Sequence, residues 1–194
     1  MRIVLMGPPG AGKGTQAKVI ADRLGIPAIS TGDIFRANVS AETELGKTAK
    51  RYMDAGEYVP DEVTNAMVRD RLGESDALKG FLLDGYPRTL DQVEELDGML
   101  ADQQERLEAV VVLRVQPEEL VQRLLHRAKT QGRDDDTEDV IRRRQEVYAE
   151  QTAPLLDVYA ARDLLVEVDG MGSVDEVTAR VFTALEPASD TAAS

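Results

Sequence analysis

Gly7-Pro8-Pro9-Gly10-Ala11-Gly12-Lys13-Gly14-Thr15 is the stretch that decides the fold. It fits the template G-x-x-x-x-G-K-[ST] through Gly7, Gly12 and Lys13, with Gly14 in the usual hydroxyl slot and the hydroxyl displaced to Thr15. Its flanks are those the motif requires. Arg2-Ile-Val-Leu-Met6 is a short apolar run of strand type, and Thr15 to Leu24 carries apolar residues at helical spacing. Strand, glycine-rich loop and helix in that order gather backbone N–H groups and a helix N-terminus around one point, where phosphate binds. Lys13 adds a mobile positive charge for outer phosphates, and glycines allow close approach and positive φ. A glycine-rich turn without a ligand is the alternative, and the presence of both flanks argues against it.

Working outward, the chain alternates strand and helix. Ile3–Met6, Phe81–Leu83, Val110–Leu113 and Leu164–Val168 read as buried strands, with Ala28–Ile29 a weaker fifth. Helices are expected over 15–24, 33–40, 45–55, 61–72, 90–102, 118–127, 136–161 and 174–185. Pro117 followed by two glutamates suits a helix start. Ser173 with Glu176 is a capping-box pattern, and Pro154 is expected to kink the long helix. This alternation implies an α/β fold of three layers: a central five-stranded parallel sheet with helices on both faces, of the P-loop NTPase type. Ligands then bind at the carboxyl ends of the strands. Residues 1–186 read as one domain. Residues 31–73 hold three helical pieces between the second and third strands, and 128–136 read as a short polar loop; both are candidate flaps. The small, polar residues 187–194 read as a disordered tail.

Composition limits the possible chemistry. The 194 residues carry a net charge of −13, so a long nucleic acid is a poor partner and any nucleotide site must gather its cations locally. The absence of cysteine excludes disulfides, thiol catalysis and cysteine-ligated zinc, and fits a reducing compartment. No apolar stretch approaches the roughly 18 residues of a membrane span. The first residues enter a strand directly, so no signal peptide is expected. A soluble cytoplasmic monomer, free of membrane and nucleic acid, is the expectation.

Other segments carry chemistry. In Gly80-Phe-Leu-Leu-Asp84-Gly-Tyr-Pro-Arg88, Asp84 ends a buried strand, where its carboxylate can hold Mg²⁺ directly or through water. Asp33 and Arg36 share a helix face. Arg123 and Arg127 share another, and Arg133, Arg142, Arg143 and Arg144 follow. Ion pairing with Asp134–Asp136 and Glu138–Asp139 can absorb Arg142 and Arg143; the remaining arginines form a possible phosphate clamp. His126, the lone histidine, receives no role.

Taken together, GPPGAGKGTQA, STGDIFR, LLDGYPRTLDQ and the R…RDDD…R arrangement resemble adenylate kinase from Met1 to about Glu186. The resemblance implies transfer of the terminal phosphoryl group of ATP to AMP, giving two ADP, with Mg²⁺ and no zinc, in the service of adenine nucleotide homeostasis. It implies a nucleoside-monophosphate-binding insertion at about 30–59 and a short lid at about 127–136. Matching positions assign ATP to Gly10, Ala11, Gly12, Lys13, Gly14, Thr15, Arg123, Arg127 and Gly172, with Mg²⁺ at Asp84. AMP falls to Thr31, Arg36, Glu57, Tyr58, Val59, Gly85, Tyr86, Pro87, Arg88 and Gln92, with Arg133 and Arg144. The catalytic cations are Lys13, Arg88, Arg127, Arg133 and Arg144. Some relatives carry a long β-type lid with cysteine-bound zinc; about nine residues stand here instead, as in short-lid members.

Three alternatives share parts of this pattern. A UMP/CMP kinase typically carries Asn where Thr89 and Gln92 stand, so Thr31 and Gln92 favour adenine. A binding protein without turnover has no need of the transfer-specific cations. A switch GTPase needs an Asn-Lys-x-Asp segment, which the sequence lacks.

Overall fold

The computed structural model describes residues 1–131 and 137–189. Five parallel strands form one sheet in the order β2-β3-β1-β4-β5: β1 (Arg2–Met6), β2 (Ala28–Ser30), β3 (Phe81–Asp84), β4 (Ala109–Arg114) and β5 (Leu165–Asp169). The apolar runs are continuous because both faces are covered. Period-two alternation divides each strand between two cores. Val4, Met6, Leu83 and Val110 pack with Leu96, Leu155 and Tyr159 on one face. Ile3, Leu5, Leu82 and Val111 pack with Ala17, Ile20, Val177 and Val181 on the other. The three-layer expectation holds.

Register places the site. Leu5 pairs with Asp84, and Ser30 also pairs with Asp84, so β1, β2 and β3 end level with one another. The chain leaves β1 toward one side of the sheet and returns to the other side at β4, which makes the end of β1 the switch point where ligands bind.

The helices are α1 (Lys13–Leu24), α2 (Thr31–Ser40), α3 (Glu44–Ala55), α4 (Asp61–Leu72), α5 (Leu90–Asp102), α6 (Pro117–Gln131), α7 (Glu138–Val147), α8 (Leu155–Ala161) and α9 (Val174–Ser189). Several boundaries differ from expectation. α1 begins two residues early, because Gly12 at φ 89° turns the chain directly into the helix. α2 begins at Thr31, with Ser30 Oγ accepting the Asp33 N–H at 3.3 Å. α6 runs to Gln131, so residues 128–131 are helix and not loop; Thr130 Oγ1 donates to the His126 carbonyl at 2.9 Å within that turn. The long helix divides. Pro154 has no N–H to give and its ring crowds the preceding turn. A π-helical turn, Tyr148–Thr152, absorbs this, closed by Ala153 N–H to Tyr148 C=O at 2.8 Å. α9 runs to Ser189, anchored by buried Leu185, where a disordered tail was expected from 187; residues 190–194 lie outside the described residues. The capping box at its start forms as expected: Ser173 N–H donates to Glu176 Oε2 at 2.8 Å and Glu176 N–H to Ser173 Oγ at 3.3 Å.

Candidate active site

A cleft of about 760 Å³ opens over the carboxyl ends of β1 and β3. Its floor is the loop between β1 and α1. Gly10 has φ +90°, and a Cβ there would lie 2.9 Å from the Leu120 carbonyl oxygen, so glycine is required on both counts. The Ala11 N–H closes the turn on the Pro8 carbonyl at 3.0 Å. α1 starts from Gly12 with no side-chain cap and no acidic residue in its first turn. Its leading N–H groups therefore face the cleft with the positive end of the helix dipole.

Lys13 folds back over this floor, donating to the carbonyls of Gly7 at 2.8 Å and Pro8 at 3.2 Å. Removal from water lowers its pKa to about 8; Asp84 opposes the drop, while Arg88 and Arg127 add to it. The lysine therefore sits desolvated beside two further cations, a place that favours an incoming anion. Asp84, buried at the end of β3, is the counter-charge. Its carboxylate lies 3.8 Å from where a Cβ on Gly14 would stand, an ordinary van der Waals contact, so the start of α1 runs directly alongside it.

The second wall is the β3–α5 turn with α2 and the α3–α4 connection. The Gly85 carbonyl accepts both Thr31 Oγ1, at 3.0 Å, and Arg88 Nε, at 2.7 Å. Gly85 is at φ +83°, and a Cβ there would lie 2.7 Å from Thr31 Oγ1, so no larger residue fits. The Arg88 guanidinium stacks on the Tyr58 ring, 4.9 Å from its centroid. Thr152 Oγ1 donates to the Arg88 carbonyl at 2.9 Å, so Tyr58 O–H is the donor in its 2.7 Å bond to Thr152 Oγ1. Arg36 is held by Asp33 at 2.6 Å on the cleft side of α2. Gln92, only 1% exposed, accepts the Arg88 N–H on Oε1 at 2.7 Å.

Helices α6 and α7 supply the third wall. Arg123 bridges two loops, donating to Ala11 C=O at 3.3 Å and Gly170 C=O at 3.1 Å while Glu119 holds its Nε at 2.8 Å. Arg127 and Arg144 line the cleft, and Arg144 donates to the Met53 carbonyl at 3.3 Å.

The expected site residues Gly10, Gly12, Lys13, Gly14, Thr15, Thr31, Arg36, Glu57, Tyr58, Val59, Asp84, Gly85, Tyr86, Pro87, Arg88, Gln92, Arg123, Arg127 and Arg144 all line this one cleft. Three do not. The Ala11 side chain is buried in the core, leaving its carbonyl to Arg123. Gly172 lies in the β5–α9 turn beside Glu176, outside the lining. Arg133 lies outside the described residues. Arg142 pairs with Glu138 at 3.2 Å as expected. Arg143 does not turn to that acidic run; it reaches across to Glu57 at 2.6 Å and to Glu146 at 3.3 Å.

Some lining residues escaped sequence reasoning. His126 and Thr130 stand on the cleft face of α6, three and seven residues after Arg123, a spacing that could have revealed them. Met53, Tyr148 and Thr152 carry no motif and reach the cleft only through tertiary packing. Gln145, whose Nε2 donates to the Pro9 carbonyl at 2.9 Å, ties α7 to the phosphate loop and likewise had no local signature.

Among the described residues no group of three or more His, Cys, Asp or Glu side chains is placed to hold a metal, and no helix is long and apolar enough to cross a membrane.

A sequence model of the adenylate kinase family matches residues 5–164. The adenylate kinase of Nocardioides sp. is 69% identical over 186 residues, 96% of this chain and 97% of that protein. Those of Kocuria rhizophila and Thermobifida fusca are 62% and 60% identical, covering 95% and 96% of this chain and 98% of each relative.

Proposed function

This chain belongs to the adenylate kinase family, an enzyme transferring a phosphoryl group between ATP and AMP to give two ADP, and we propose that its cleft does so by holding the two nucleotides phosphate to phosphate among converging cations. One observation carries the reading of the site. Lys13, Arg36, Arg88, Arg127 and Arg144 come from five separate segments, in a chain of net charge −13, and meet around one cleft.

The donor triphosphate lies on the β1–α1 loop, where the backbone N–H groups from Gly10 to Thr15 and the α1 dipole meet its outer phosphates. Lys13 leaves the Gly7 and Pro8 carbonyls to engage them. Arg123, held between Ala11 and Gly170, offers a flat guanidinium for the ATP base, with the Gly172 backbone two residues beyond its anchor. AMP occupies the opposite wall. Its phosphate meets Arg36 and Arg88, and its base lies over Thr31, along the backbone of Glu57, Tyr58 and Val59, against Gln92. The turn Gly85-Tyr86-Pro87 fixes where Arg88 points.

Transfer demands little covalent work from the protein. The AMP phosphate is already an anion, so no side-chain base is needed. The barrier is the mutual repulsion of two polyphosphates and the charge on the equatorial oxygens of the moving group. Arg88, Arg127, Arg144 and, from the lid, Arg133 donate to those oxygens, and the donors tighten as charge develops. Asp84 fits a Mg²⁺ site: it is a single buried carboxylate at the floor beside Lys13, leaving the remaining ligand positions to water and phosphate. When bound, Mg²⁺ neutralises and orients the phosphates. Closure of the 30–59 insertion and the 127–136 lid excludes water and suppresses hydrolysis, adenylate kinases being a standard example of such closure. The protein works as a cytoplasmic monomer with nucleotides as its only partners.

The deciding experiment supplies MgATP and each nucleoside monophosphate in turn. AMP is turned over far faster than UMP, CMP or GMP; a dominant rate with UMP or CMP overturns the assignment of the acceptor pocket.

A further inference from the structure

Gln92 does not sit in the acceptor pocket unsupported. Its Nε2 donates to Asp61 Oδ1 at 2.8 Å, and Asp61 Oδ2 accepts Thr89 Oγ1 at 2.8 Å. Asp61 is the first residue of α4, while Thr89 and Gln92 cap and open α5, with Gln92 N–H donating to Thr89 Oγ1 at 3.2 Å. Asp61 is half-buried and is not itself among the lining residues of the cleft.

The chemistry of the two groups touching Gln92 leaves its amide one orientation. A carboxylate only accepts and a backbone N–H only donates. With Asp61 on one side and the Arg88 N–H on the other, Nε2 must face Asp61 and Oε1 must face Arg88. Rotating the amide by half a turn would set oxygen against carboxylate and N–H against N–H, two buried repulsive contacts in place of two bonds. After these bonds one N–H of Nε2 and one lone pair of Oε1 remain. The Watson–Crick edge of adenine offers N1 as acceptor and the 6-amino group as donor, which match that pair. Hypoxanthine offers N1–H and O6, which need the opposite orientation.

We infer that Asp61 is a positioning residue that sets base selectivity, by fixing the Gln92 amide in the one orientation complementary to a 6-aminopurine. The inference rests on Gln92 facing the acceptor base, and its test separates the two claims. Thr89 belongs to the same device: its proton goes to Asp61, so its lone pair faces the Gln92 N–H and α5 starts at a fixed place.

The test compares kcat and KM for AMP and for IMP at saturating MgATP in wild type, Asp61→Ala, Asp61→Asn and Gln92→Leu. In Asp61→Ala the KM for AMP rises about tenfold while kcat stays within about twofold, and the preference for AMP over IMP falls at least about tenfold. Asp61→Asn keeps an oxygen for Gln92 and so retains most of the preference. Asp61→Ser, which keeps a small polar group at the start of α4, gives the same loss of preference as Asp61→Ala should the alanine variant not fold. An AMP-to-IMP ratio unchanged in Asp61→Ala or Asp61→Ser, while Gln92→Leu alters it, overturns the role of Asp61 and leaves Gln92 as the base reader. A ratio unchanged in Gln92→Leu overturns both. A fall in kcat equal for both nucleotides, with no change in the ratio, marks Asp61 as merely structural and also overturns the inference.

Discussion

In the free protein the charged Lys13 costs more stability than its hydrogen bonds return, and Lys13→Met measures the net cost. The ammonium has left water for a pocket already occupied by the fields of Arg88 and Arg127, and its pKa falls from the ordinary 10.5 to about 8. At roughly 1.4 kcal/mol per pH unit the drop corresponds to about 3 kcal/mol held against the charged form at neutral pH. The side chain is partly exposed, and the variant loses the bonds to Gly7 and Pro8, so the net gain expected from Lys13→Met is about 1–2 kcal/mol. For a chain of this size that is a rise of roughly 2–8 °C in Tm at pH 7. The pH dependence gives the sign independently. Between pH 8 and 10.5 the unfolded lysine binds more proton than the folded one, so wild-type stability rises with pH across that window. The advantage of the variant therefore shrinks from pH 8 toward 10.5. Thermal melts of ligand-free wild type and variant, at pH 7 and in steps to pH 10, read both features. A variant no more stable at pH 7, or an advantage that grows with pH, refutes the reasoning. Turnover in the same variant falls by orders of magnitude, because the cation is kept for the phosphates.

Other outcomes follow from the same geometry. With Lys13 in its proposed role on the ATP phosphates, kcat/KM for MgATP falls as pH rises through about 8, and Lys13→Met removes that limb from the profile. Arg88→Lys loses the bond from Nε to Gly85 and the stack on Tyr58, so kcat/KM for AMP falls at least about tenfold in steady-state assays although the charge is kept. Glu57→Arg sets two cations together across the cleft wall, raising the KM for AMP about twofold to fivefold, and adding Arg143→Glu restores it, as a double-mutant cycle reads.

What could be read from the chain and what could not divides by how local the cause is. The loop from Gly7 to Thr15 announces itself because Gly7, Gly10 and Gly12 answer local backbone demands and the flanks change from a continuous apolar run to apolar residues at helical spacing. Asp84 and Arg88 were legible because they terminate a buried run at a fixed offset. Arg143 was misread because sequence offers its neighbours, Glu138 and Asp139, while its partner, Glu57, stands on another element. The link from Asp61 to Gln92 is invisible for the same reason: it joins the starts of two helices far apart in the chain. The division at Tyr148–Thr152 was half legible. Pro154 signals a break, but the π-helical turn that accommodates it, with Tyr148 and Thr152 on the cleft, has no local signature. The extent of α6 was missed because Lys129-Thr130-Gln131 carry no apolar periodicity and the helix simply continues through them.

In the proposed site, cations from distant segments face one shared path between donor and acceptor phosphates. A crystal structure with a bisubstrate mimic, two adenosines joined through a chain of phosphates, tests it most directly. Lys13, Arg36, Arg88, Arg127 and Arg144 are all expected within hydrogen-bonding distance of that chain, with one base over Thr31 and Gln92 and the other beside Arg123. Guanidinium groups turned to solvent, or a mimic bound with its phosphates away from the Gly7–Thr15 loop, would contradict it.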